Sequence, residues 1–297
     1  MNKSLANPLN FYVRQSPITD PGEMAYLLDD LPQDVRGLCS VVQGLMVHVY
    51  WAARYGLTLS PERKQDVQLR KAAFMLEKIK EMESCSLTVM RPLEKRIAGT
   101  CRDFSVLLCS ILRYQGIPAR ARCGFATYFL PNHYEDHWVC EYWHRERQSW
   151  VMVDPQLDPF QCEALQISFD PCELPPGKFI PAGTAWQICR NGLADPDSFG
   201  IFDMYGLQFV RGNLVRDIAS LNGMELLPWD VWGIMGTEDD ALTKEDLGFL
   251  DEAASLTLQG NNQFSQLEGV YNTDARIRVP DTIVSYTNNG PIRVRLQ

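Results

Sequence analysis

The chain has 297 residues, 45% of them hydrophobic and 10% aromatic, and 28 Lys+Arg against 37 Asp+Glu give a formal charge of -9. That apolar fraction excludes a disordered chain and is enough for one large domain or two smaller ones. The acidic balance argues against a general nucleic-acid binder, which needs a basic surface to neutralise phosphates. Nine cysteines, odd in number and scattered from Cys39 to Cys189, are too sparse for a disulfide-stapled secreted domain. They read as reduced thiols, one of which is open to a reactive role.

The N-terminal stretch MNKSLANPLNFYVRQSP has no apolar core and is not a secretory signal. The most apolar run, Leu38 to Ala53, is broken by Gln43 and His48 and falls short of a membrane span of about 20 residues. It predicts a buried helix from Val35 to Arg54, no membrane partner, and a cytoplasmic location. Ser60-Pro61-Glu62 has the chemistry of a helix start, with Ser as cap, Pro at the first position and an acid in the first turn. Ala72, Phe74, Met75, Leu76, Ile79 and Met82 then recur on a helical face. Residues 1–98 thus form a mainly helical segment.

The rhythm changes at Gly99-Thr100-Cys101-Arg102-Asp103. Thr100 and Asp103 have capping-box spacing, Phe104, Leu107, Leu108, Ile111 and Leu112 follow at helical spacing, and Gly116 and Pro118 mark the end. A helix from Cys101 to Gln115 is predicted. Strands are predicted over Ala119–Phe129, His137–Trp143 and Trp150–Asp154, the last two joined by the polar loop 144–149 as a hairpin. Residues 159–297, with PCELPPG, LADPDSFG and LPWDVWG, read as a loop-rich extension of the same domain. Its tail alternates and carries a hairpin signal at Asn289-Gly290.

Cys101 opens the predicted helix, where unpaired N–H groups and the helix dipole favour an anion and so a thiolate. Nucleophilic catalysis also needs a base and a group to orient it. His137 opens one strand of the predicted hairpin and Asp154 closes the other, so the pairing brings both to the same end of the sheet. Each of the three stands at the terminus of an element, in the order Cys, His, Asp.

These residues bring a family into view. The segments GTCRDFSVLLCSILRYQGIPARARCGF, DHWVCEYW and WVMVDPQ resemble the core of the transglutaminase-like superfamily, which includes transglutaminases, peptide N-glycanases and bacterial cysteine proteases. The resemblance covers residues 99–158, a fifth of the chain. It implies an α+β, papain-like fold with the catalytic Cys at the N-terminus of a helix packed on an antiparallel sheet. It also implies a Cys101, His137, Asp154 triad and acyl transfer through a thioester. The expected activity is thiol-dependent hydrolysis of amide bonds in a peptide, protein or small amide substrate, without a cofactor. Transfer of the acyl group to an amine, and a non-catalytic binding module, stay open as alternatives, and the oligomeric state is undetermined.

The backbone N–H of Cys101 is the expected oxyanion donor. Trp138, Gln43 and Gln115 are candidates for a second. Trp138, Trp186, Trp229 and Trp232 are candidates to line a substrate groove, against the alternative that they pin loops to the core. Cys123, His133, His137 and Cys140 include a zinc-like spacing but lack a Cys-x2-Cys partner, so no metal site is expected. Arg91, Lys95, Arg96, Arg113, Arg120, Arg122, Arg145 and Arg147 surround the motif and read chiefly as a salt-bridged surface. Glu238-Asp239-Asp240 lacks calcium-loop spacing. Arg190, Asp195 and Asp197 read as loop anchors.

Overall fold

The structure is a computed structural model that describes residues 7–258, 260–287 and 289–296. The first six residues of the stretch read as lacking a secretory signal lie outside them. Helices and strands alternate in an α+β arrangement. The chain divides into a Cys101 unit, Leu9–Ala121 with Trp138–Pro175, and a His137 unit, Met1–Pro8 with Arg122–His137 and Pro176–Gln297. No helix among the described residues is long and apolar enough to cross a membrane.

In the Cys101 unit, the helix Val35–Leu45 begins at Asp34, whose side chain accepts from Gly37 N at 2.8 Å. The helix predicted to reach Arg54 stops halfway. Met46–His48 is a strand, paired parallel with Ile97–Gly99 from Met46↔Ile97 to His48↔Gly99, and Ala52–Tyr55 is a 3-10 turn. Met46 and Val47 are buried along with Leu45 and Val42. A run buried on all sides has no period by which a strand could be told from a helix. The start signal at Ser60 is also used differently. Its hydroxyl accepts from Arg63 N at 3.3 Å, but only the 3-10 turn Arg63–Gln68 follows. The regular helix runs over Ala72–Met82 and buries Ala72, Met75, Leu76 and Ile79, while Phe74 is exposed.

The helix Cys101–Tyr114 ends at Gln115, and Gly116 takes the left-handed φ of 75° that a glycine adopts without strain. It packs on strand Tyr134–His144, where Cys109 Sγ lies 3.3 Å from Cys140 Sγ and both are fully buried. That strand pairs antiparallel with Ser149–Val153 from Cys140↔Val153 to His144↔Ser149, which is the expected hairpin. Arg113 donates to Ala119 O at 2.9 Å and Thr19 Oγ1 at 2.8 Å. Arg120 donates to Glu141 Oε2 at 2.6 Å, with its guanidinium 5.2 Å from the Tyr12 ring and 4.1 Å from the Trp150 ring. These arginines are buried struts rather than a solvated surface.

In the His137 unit, Phe179–Pro181 pairs antiparallel with Gly124–Ala126, and Phe199–Ile201 pairs parallel with Tyr134 and Glu135. Gly200 is required where Met204–Tyr205 turns back, since a Cβ there would sit 2.1 Å from Met204 O. The stretch read as loop-rich carries the helices Ala182–Arg190, Leu207–Leu221, Lys244–Leu258 and Phe264–Thr273. The Gly and Pro clusters mark the joints between these helices, and their density hid them. Leu207–Leu221 is buried at every position from Val210 on, so it too lacks an amphipathic period. Its Asp217 accepts from Arg122 Nε and Nη2, each at 2.9 Å, and from Cys123 N at 3.0 Å. Asp239, in the acidic run, pairs with Arg211 at 2.8 Å. Asp195 caps its own turn by accepting from Asp197 N at 3.0 Å. The C-terminal hairpin Thr282–Thr287/Gly290–Arg295 closes at Thr287↔Gly290, with Gly290 at φ 97°.

Asp217→Ala removes the partner of a buried guanidinium. It is expected to destabilise the chain by about 3–5 kcal/mol, read as a lowered midpoint in urea unfolding.

Candidate active site

Cys101 is the first helical residue after Thr100, and 8% of it is exposed. The strand Ile97–Gly99 delivers it, and Gly99 leaves room for its neighbours: a Cβ would lie 2.4 Å from the flexible end of Met46 and 3.2 Å from Asp103 Cβ. The predicted capping box forms, with the Asp103 carboxylate accepting from Thr100 N at 2.8 Å and from Thr100 Oγ1 at 3.1 Å. Arg102, wholly buried, donates to Asp103 Oδ1 at 2.9 Å and to Arg70 O at 2.6 Å. Burial raises the Asp103 carboxyl above its ordinary range, and Arg102 and the Thr100 bonds oppose that rise. Ser105 Oγ donates to Cys101 O at 2.9 Å and stiffens the first turn.

Asp154 follows Val153 directly and is fully buried. Its Oδ1 accepts from Gln156 N at 3.0 Å and its own N–H donates to Pro171 O at 2.8 Å. Cys101 and Asp154 belong to one unit and His137 to the other, whose last residue before Trp138 it is. On its strand His137 stands three residues before Cys140, the partner of Val153. The His137 ring is 2% exposed and meets Phe129 at 5.0 Å and Tyr128 at 6.0 Å, both edge-on.

Glu135, which sequence reasoning missed, is two residues before His137 and on the same side of the strand. Burial raises its carboxyl, while His133, 3.5 Å away, and His137 oppose the rise. The alternation His133, Glu135, His137 was the signal for it. Asp136, on the opposite side, is buried and accepts from Asn213 Nδ2 at 2.7 Å.

Several expected liners have other work. Trp186 is fully buried and donates to Asp251 Oδ1 at 2.8 Å, and Arg190 reaches the same carboxylate at 3.1 Å. Trp232 is buried and donates to Ile277 O at 2.9 Å. Both indole N–H groups are held inside the core. Trp229 is half-buried, and its carbonyl accepts from Tyr286 N at 3.0 Å. Trp138 is buried, with no partner for its Nε1 among the described residues. Gln43 Nε2 donates to Pro155 O and Leu157 O, each at 3.2 Å, and Gln115 Nε2 to Pro32 O at 2.8 Å, so these amides are committed elsewhere. Among the described residues no three His, Cys, Asp or Glu side chains are grouped to hold a metal ion. No disulfide links any of the nine cysteines.

The segment that carries Cys101, His137 and Asp154 is transglutaminase-like: residues 77–155 match the family model of the transglutaminase-like superfamily. A crystal structure of a Cytophaga hutchinsonii protein described as a candidate cysteine protease is 18% identical, covering 52% of this chain and 43% of that one, with a TM-score of 0.33. Red sea bream transglutaminase is 15% identical, covering 94% of this chain and 48% of that one, with a TM-score of 0.38. The chain thus spans less than half the length of either. No curated protein matches it. The family match supports a thiol-dependent enzyme in general terms.

Asp103→Ala removes the reach-back cap and one partner of Arg102. It is expected to cost about 1–3 kcal/mol, read by thermal or urea unfolding.

Proposed function

We infer that this chain, transglutaminase-like over residues 77–155, is a thiol-dependent hydrolase of amide bonds, a peptidase or an amidase. The observation that carries this reading is a cysteine at the start of a capped helix inside the family-matched segment. Helix N-terminal N–H groups stabilise a thiolate at Cys101.

In the proposed reaction, the Cys101 thiolate attacks the amide carbonyl carbon. The Cys101 backbone N–H donates to the oxygen as it gains charge. His137, protonated, gives its proton to the leaving nitrogen as the C–N bond breaks, leaving a thioester. His137 then takes a proton from water, whose oxygen attacks the thioester. The C–S bond breaks, the acid leaves, and the Cys101 thiolate and protonated His137 are restored. Asp154 fixes the imidazole tautomer throughout. An amine in place of that water gives transglutaminase-type transfer, a second reading that the family match favours. The two share every step up to the thioester and part on which nucleophile reaches it.

On a glutamine-rich protein, ammonia release without amine incorporation is expected for the hydrolase, and incorporation of a labelled amine for the transferase. Cys101→Ala is expected to lower either signal by at least about 10³-fold. Undiminished turnover in that variant rejects the mechanism.

A further inference from the structure

A second pair of thiols in the Cys101 unit is placed for chemistry that the reaction above does not use. Arg36 and Cys39 are three residues apart on the helix Val35–Leu45, so they share one face of it. That face meets the segment 165–178, which carries no helix or strand. The contacts run in register. Arg36 Nη2 donates to Asp170 Oδ2 at 2.5 Å, and the Cys39 thiol hydrogen-bonds to Cys172, two residues further along. Asp170 Oδ1 accepts from Cys172 N at 2.9 Å and holds the turn that presents Cys172 to the helix. The loop is also tied to the strand end beside it: Pro171 O accepts from Asp154 N at 2.8 Å, and Leu174 N donates to Met152 O at 2.9 Å.

The two thiols are unequal. Cys172 is half-buried and meets solvent, while Cys39 is 2% exposed. The Cys39 S–H donates to the Cys172 sulfur. That bond, with the Arg36 charge, holds the Cys172 thiol below its ordinary value against the opposing effect of burial. The same bond, and then burial, raise the Cys39 thiol well above its own. A thiolate within reach of solvent, with a shielded protonated thiol against it, has the division of labour of an oxidisable cysteine and the one that resolves it.

The other close pair lacks that asymmetry. Cys109 and Cys140 lie 3.3 Å apart, but neither is exposed, and burial first of all raises the Cys140 thiol. Cys162, also near Cys172, is raised to about 11 by burial and by Asp154 and Asp158, so it stays a thiol.

We propose that Cys39 and Cys172 form a peroxide-sensitive dithiol: a hydroperoxide oxidises Cys172 to a sulfenic acid, and Cys39 closes it to a disulfide that ties helix Val35–Leu45 to the loop bonded to Asp154. In the first step the Cys172 thiolate attacks one peroxide oxygen. An S–O bond forms, the O–O bond breaks, and the departing hydroxide takes a proton from solvent to become water. In the second step the Cys39 sulfur attacks the Cys172 sulfur. An S–S bond forms, the S–O bond breaks, and the Cys39 proton leaves with the hydroxide as a second water. Two thiols are oxidised and one peroxide is reduced. The bond forms whether or not Cys101 is a nucleophile, so its test stands apart from the reaction proposed above.

The full chain is treated with hydrogen peroxide at neutral pH, its remaining thiols are blocked with N-ethylmaleimide, and it is digested without reductant and mapped by mass spectrometry. The expected product is a Cys39–Cys172 linked peptide pair that dithiothreitol reverses, with Cys109 and Cys140 left as blocked thiols. In Cys39→Ser the sulfenic acid has no thiol to close on, and dimedone is expected to label Cys172 at least about fivefold more than in the unsubstituted chain. Oxidation of Cys172 without the link to Cys39, a Cys109–Cys140 link formed in its place, or equal dimedone labelling in the two chains each overturn the proposal. Should Cys39→Ser not fold, the map of the unsubstituted chain decides alone.

Discussion

The arrangement turns on a helix start buried in protein. The first N–H groups of any helix lack partners within it, and burial removes the water that would otherwise serve them. Here Thr100 and Asp103 meet part of that demand from within the turn. Asp103 is itself buried and needs a counter-charge, which Arg102 supplies from a position with no solvent exposure. Arg102 in turn takes carbonyls of the segment before helix Ala72–Met82. The cost of burying one helix end is thus passed outward through a chain of polar contacts, and Cys101 sits at its origin.

The same logic runs through the rest of the protein. An acidic chain buries arginines in both units and gives each a partner: Arg120 has Glu141, Arg122 has Asp217, and Arg113 has a carbonyl and a hydroxyl. The planar fork of Arg can serve two acceptors at once, which suits it to such positions better than Lys. Of the eight residues that read as a charged surface around the motif, Arg91, Arg113, Arg120 and Arg122 are interior, while Lys95, Arg145 and Arg147 are exposed and Arg147 pairs with Glu173 as expected of a surface. The Arg120 and Arg122 pairs tie strands Ala119–Ala126 and Tyr134–His144 to their neighbours.

What the sequence revealed followed from local chemistry. Thr100 with Asp103, Gly116 after the helix, and the polar loop 144–149 each state a boundary within a few residues, and the structure keeps those boundaries. Met46–His48 and Leu207–Leu221 misled for one physical reason: complete burial erases the polar face that gives a period its meaning. The two readings of the tryptophans stayed open in the sequence because an aromatic in a Pro- and Gly-rich stretch looks the same whether it faces a ligand or the core. Only the satisfied indole N–H groups of Trp186 and Trp232 separate the two cases. The family resemblance extends further toward the N-terminus than the motifs alone indicated, beginning at residue 77.

The central claim is that the Cys101 thiol is activated. It is tested most directly by alkylating the native chain with iodoacetamide across a pH series and mapping the modified cysteines by mass spectrometry. Cys101 is expected to react well below the pH at which an ordinary thiol of pKa about 8.5 does, and His137→Ala to shift that profile upward. A slow Cys101 profile that follows the ordinary thiol range, unchanged by His137→Ala, contradicts the account and leaves a transglutaminase-like binding module in its place.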